Sequence, residues 1–214
     1  VVAATATAAT SSVTASFFCV TANAVQWRAP LALAALLLLL QAGGEPVREA
    51  LRYERGAVLH GELWRLFTAH AVHLGWTHAL LNTAGLLLCA ALAPASLARL
   101  SWPRQALYLL ALAGTVSLML LLFSPHVGNY VGLSGVLYGL FACVLFAQAR
   151  RGGRPEAAAL LLLAAWVAWQ WLAGPCAQEE RWIGGRIVAQ AHLYGLLGAA
   201  GFGAAMAFRA RRPA

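Results

Sequence analysis

Six apolar runs divide this chain, and they constrain its fold more than any other feature. They extend from about Ala29 to Ala42, Ala69 to Ala93, Trp102 to Phe123, Gly132 to Ala149, Ala157 to Ala173 and Ile187 to Phe208. A helix that crosses a bilayer needs about 20 residues and tolerates about 17, so the first and fifth runs are short. Only 10% of the 214 residues are charged and 61% are apolar, whereas soluble domains carry roughly 25% charged residues. One soluble core could not hide this much apolar surface, so the solvent for most of the chain is lipid. The expected fold class is an all-α polytopic membrane protein, a bundle of six transmembrane helices over residues 27–208. Residues 1–26 are rich in Ala, Thr and Ser. They lack the basic n-region of a signal peptide and are expected to be disordered. Residues 209–214 form a basic tail.

The net charge of +8 is a balance of arginine against glutamate, because the chain has no Lys and no Asp. A basic chain invites a nucleic-acid reading, but these arginines lie between apolar runs and form no single patch. Membrane orientation accounts for them, since cytoplasmic loops collect positive charge. With six spans, Arg28, Arg99, Arg104, Arg150, Arg151, Arg154, Arg209, Arg211 and Arg212 share one side with Glu156 alone, and that side carries all of the +8. On the other side, Arg48, Arg52, Arg55, Arg65, Arg181 and Arg186 cancel Glu45, Glu49, Glu54, Glu62, Glu179 and Glu180. Both termini are therefore expected in the cytoplasm, with the Glu45-to-Phe67 loop and the starts of the second, fourth and sixth spans outside. The bilayer is the implied partner and nucleic acid is not. Cys19, Cys89, Cys143 and Cys176 show no CxxC or Cys/His ligand spacing and read as packing residues.

Polar groups inside spans are costly and mark function. Three spans carry them, each within about one to three turns of the outer end, so they can share one depth. The second holds His70, His73, His78 and Asn82; the fourth opens with Gly132-Leu133-Ser134-Gly135; the sixth holds His192. A serine hydroxyl attacks only once a base takes its proton. Without Asp or Lys, neither an Asp-oriented triad nor a Ser-Lys pair can form, and a Ser-His dyad is what remains. Gly132 and Gly135 allow a close backbone approach, and N–H groups at a helix start suit an oxyanion beside Ser134.

These residues resemble the rhomboid intramembrane proteases. His73, His78 and Asn82 match that family's HxxxxHxxxN, Gly132 to Gly135 its GxSG, and Ala191-His192 with Gly195 its AHxxG. Glu62-Leu63-Trp64-Arg65 is similar to its outer-loop Trp-Arg motif, and Tyr138 to a tyrosine that packs on the catalytic histidine. The resemblance covers roughly Glu62 to Phe208. It implies a six-helix rhomboid bundle with Ser134 as nucleophile, His192 as general base, and an oxyanion site made by the Ser134 N–H, His78 and Asn82. It implies no cofactor and no metal, and membrane-anchored proteins as substrates. Without an acid, His192 is expected to be positioned by packing on the Tyr138 ring. Among rhomboids the chain looks closest to the rhombosortases. These are compact bacterial members paired with secreted proteins that end in a Gly-Gly motif, an apolar helix and a basic tail. One departure is Ala199, where many rhomboids have a second Gly. The localisation implied is a bacterial inner membrane, with the site opening to the periplasm.

Bland readings suffice for several residues. His60, His70 and His126 match no family position and are taken as structural. Trp64 and Arg65 are expected to hold the outer loop, and Trp166, Trp169 and Trp171 to form an interface belt. Two other function classes can be weighed. A metal site or transporter using His70, His73 and His78 has no HExxH and no carboxylate in the span, and on a helix positions 73 and 78 diverge by about 140°. An inactive rhomboid-like binder typically loses the serine or the histidine, and both are present here.

Overall fold

The computed structural model describes residues 24–93 and 100–210, with side chains for 27–93 and 100–203. The disordered stretch expected over 1–26 lies outside the described residues up to residue 23. The last part of the expected basic tail, 211–214, lies outside them as well. The described chain is all-α apart from one two-residue strand pair.

Helix α1 (Ala24–Ala42) turns by 113° into the short α2 (Gly44–Leu51). The turn falls at Gly44, whose φ of 64° suits glycine. Helix α1 starts three residues inside the stretch expected to be disordered. The outer loop then forms strand β1 (Tyr53–Glu54), helix α3 (Arg55–Leu59) and helix α4 (Arg65–Thr68), which tightens into a 3₁₀ turn at Ala69–Ala71. Arg65 is buried and ties this loop together. Its guanidinium donates to the Glu49 and Arg52 carbonyl oxygens, both at 2.9 Å, and to the Glu62 carboxylate at 2.7 Å. Trp64 is exposed.

The second span begins later than expected. Helix α5 covers Trp76–Leu92, not Ala69 onward. Gly75 is fully extended and Val72 has β-region dihedrals, so the segment 65–71 meets α5 at 93°. Hydropathy sees one apolar run here, but the chain needs the break to turn His73 inward. Helix α6 (Trp102–Phe123) matches its expected bounds, fenced by Pro103 in the first turn and by Ser124-Pro125 beyond. Strand β2 (Asn129–Tyr130) pairs antiparallel with β1 and braces the outer loop against the approach to the next helix.

Helix α7 (Ser134–Ala149) is only 16 residues long and sits at the centre of the bundle. Helix α8 (Arg154–Ala173) starts three residues before its expected bound, with Pro155 in its first turn, and buries only Val167 and Gln170. The short α9 (Ala177–Ile183) follows, then α10 (Ala189–Ala210), two residues inside the expected start. By length and composition α6 and α8 each suffice to cross a membrane, and the α1–α2 and α4–α5 pairs do so if each bent pair is one span. Leu161, Leu162 and Leu172 of α8 and Leu107 and Leu122 of α6 are exposed, as lipid-facing residues should be.

Helices α7 and α10 meet backbone to backbone. Gly135 and Gly139 face Ala191 and Gly195, four residues apart on each helix. A Cβ at Gly139 would lie 2.8 Å from the Gly195 carbonyl oxygen, and one at Gly135 would lie 2.8 Å from that of Ala191. Small residues at this spacing let membrane helices pass at contact distance. The consequence is positional: Ser134 precedes Gly135, and His192 follows Ala191.

Candidate active site

Ser134 is the first residue of α7, where the chain leaves Gly132 at φ 113°. Its Oγ lies 2.9 Å from His192 Nε2. The other imidazole nitrogen, Nδ1, lies 2.7 Å from Gln170 Oε1 on α8. An amide oxygen only accepts, so Nδ1 carries the hydrogen and Nε2 is bare. The hydroxyl of Ser134 therefore donates to Nε2, which is the arrangement of a nucleophile and its base. The Tyr138 ring stacks on His192 with centroids 4.3 Å apart and planes 25° apart.

His78 and Asn82 come from the first turns of α5. A Cβ on Gly132 would lie 2.8 Å from His78 Nε2 and 3.7 Å from Asn82 Nδ2, so only glycine fits beside this pair. The Leu74 N–H donates to His78 Nδ1 at 3.4 Å, which leaves His78 Nε2 as the protonated, donating atom. Asn82 Nδ2 spends one hydrogen on the His78 carbonyl oxygen at 3.2 Å and keeps the other. At the start of α7 the Ser134 N–H has no intrahelical acceptor. His78, Asn82, Ser134 and His192 all line one cavity. The cavity measures about 670 Å³ and is also lined by residues of α2, α8 and α9, Glu179 among them, and by Arg186. Partial burial raises the Glu179 carboxyl above its usual range.

His73 and His78 meet edge to face, ring centroids 5.0 Å apart. Their expected divergence on a helix does not apply, because α5 begins only at Trp76. His70 turns away, bonding Ser117 Oγ at 2.9 Å and the Ala113 carbonyl at 3.1 Å. His126 pairs with Gln190 and His60 with the Gly56 carbonyl, both away from the serine. Among the described residues, no three His, Cys, Asp or Glu converge on a metal-sized site.

The Rhomboid domain profile matches residues 60–209, most of the chain. The chain belongs to the rhomboid family. Rhomboids are intramembrane serine proteases that act on membrane proteins, and this one is an integral membrane protein. No curated protein matches the chain.

Reading the rhomboid sequence missed two residues of this site. Gln170 is one, and it was findable as the only Gln, Asn, Ser, Thr or charged residue in the Ala157-to-Ala173 run. The three tryptophans around it draw attention to the interface instead. Tyr130 is the other. Its hydroxyl donates to the Gly132 carbonyl oxygen at 2.7 Å. It therefore fixes the turn that presents Ser134, and nothing in its loop context marks it out.

Proposed function

We propose that this rhomboid is an active serine endopeptidase that cleaves membrane-anchored proteins in or near their transmembrane segment. Ser134 Oγ attacks the scissile carbonyl carbon and its proton passes to His192 Nε2. The carbonyl oxygen becomes an anion held by the Ser134 N–H, His78 Nε2–H and Asn82 Nδ2–H. The C–N bond then breaks as His192 returns the proton to the leaving amine. Water, deprotonated by the same Nε2, releases the acyl group from Ser134. The observation that carries this reading is the 2.9 Å contact between Ser134 Oγ and His192 Nε2, both lining one cavity.

The finer assignment follows the motifs and the charges. The charge balance favours six spans with the nine-arginine side and both termini in the cytoplasm of a bacterial inner membrane, and the cavity open to the periplasm. The Ala191-to-Gly198 segment favours a rhombosortase, acting on secreted proteins with a C-terminal Gly-Gly motif, apolar helix and basic tail. The test co-expresses the protein with such a tail fused to a reporter and maps the new C-terminus by mass spectrometry. Cleavage that vanishes in an inserted, folded Ser134→Ala variant supports the assignment. Equal turnover by that variant refutes it.

A further inference from the structure

We propose that Gln170 is a neutral third member of the site, a positioning residue that fixes which nitrogen of His192 is the base. The inference rests on the reading of Ser134 and His192 as nucleophile and base. Helix α8 turns almost its whole surface to lipid and buries only Val167 and Gln170. A carboxamide in an apolar span is costly unless its polar atoms are bonded. Gln170 is 2% exposed, and its oxygen sits 2.7 Å from His192 Nδ1.

The bond does three things. It holds the hydrogen on Nδ1, so that Nε2 faces Ser134 without one. It fixes the ring plane together with the Tyr138 stack. It also strengthens when Nε2 takes the serine proton, because hydrogen bonds from a charged donor are stronger than neutral ones. A carboxylate could do the same, but at the cost of burying an ion in the bundle. The amide avoids that cost, and a chain without Asp can use it.

An amide can present either end, and the reversed one would be fatal. Its NH₂ would face Nδ1, the hydrogen would move to Nε2, and the base would be lost. In the structure the oxygen end faces Nδ1, with the Tyr138 ring stacked on the same imidazole.

The test uses the full chain in detergent micelles and an alkyl fluorophosphonate, so no substrate identity is needed. Labelling forms the Ser134 Oγ–P bond, breaks P–F and releases fluoride, with the serine proton going to His192. Gln170→Met keeps the volume and removes the acceptor. The expected result is a kinact lower by roughly 10- to 100-fold, the worth of one hydrogen bond to a group that becomes charged, with KI unchanged. Gln170→Glu keeps an acceptor in either protonation state and should restore most of the rate. Tyr138→Phe keeps the ring stack and should label close to the wild-type rate. A wild-type protein that never labels would overturn the protease reading, and this inference with it. A labelled wild type with an equally fast Gln170→Met variant overturns the inference alone. So does an equal loss in the Met and Glu variants accompanied by equal loss of thermal stability, since that is the mark of a packing role.

Discussion

Replacing Gly195 with alanine tests whether catalytic geometry is set by backbone contact between α7 and α10. The added methyl would overlap the Gly135 carbonyl oxygen and lie 2.9 Å from its carbon and 3.2 Å from the Gly139 nitrogen. All three are backbone atoms, so no rotamer change relieves the clash. Carbon contacts settle at about 3.5–4.0 Å, so the helices must part by on the order of 1 Å. His192 lies one turn before Gly195 and Ser134 directly before Gly135, so their 2.9 Å contact must open by a similar amount. A misplacement of about 1 Å in a reacting pair costs about 10²-fold in rate. Stability is a poorer readout, because overpacking costs about 1–3 kcal/mol while replacing Gly by Ala in a helix returns about 1 kcal/mol. A graded series supplies the control. A methyl at Gly139 would meet the Gly195 oxygen at 2.8 Å and Leu112 Cδ2 at 3.0 Å. At Gly198 it would meet only movable side-chain atoms, Thr115 Cγ2 at 3.1 Å and Leu112 Cδ2 at 3.4 Å, and at Gly201 it meets none of the described residues within 4 Å. Initial rates on a reconstituted membrane reporter should rank Gly201→Ala near wild type, Gly198→Ala slightly lower, Gly139→Ala lower again and Gly195→Ala lowest. Wild-type kcat in a folded Gly195→Ala protein would refute the argument.

His78→Ala and Asn82→Ala should lower kcat more than they raise KM, since both donors matter most once the oxygen is charged. Losing one such donor costs on the order of 10²–10³ in rate, reduced here because three donors share the task; a variant that raises KM at unchanged kcat assigns that residue to docking instead. In a cysteine-free background, a cysteine at Gly61 should react with an impermeant thiol reagent added to intact spheroplasts, and one at Gly152 only after lysis; the reverse pattern overturns the topology.

The parts of this fold that were legible in the sequence are those with local punctuation. Pro103 and the Ser124-Pro125 pair fence α6, and its expected bounds match. The start of α5 was not legible, because Ala69 to Leu74 is as apolar as a span and nothing in hydropathy registers that Gly75 is extended. That break also decides the site, since it lets His73 and His78 meet. Ser134, His78, Asn82 and His192 stand out as polar residues in apolar runs, and the structure gathers them around one cavity. Gln170 meets the same criterion, but the absence of Asp points to packing on Tyr138, and not to an amide, as what positions His192. A neutral amide does what the missing acid would have done. The site lies on four helices far apart in sequence, and no pattern in the chain states that α8 packs its one amide against α10.

The sparse burial of α8 has a mechanical consequence. Only Val167 and Gln170 are fully buried on it, and much of the rest of its surface is left to the acyl chains around it. A bilayer thinner than the 20-residue helix prefers will tilt α8 to relieve the mismatch. Any such tilt displaces the partner of His192 Nδ1. Membrane thickness thereby becomes an input to the orientation of a single imidazole, and the rate should vary with lipid chain length in the wild type but not in Gln170→Met.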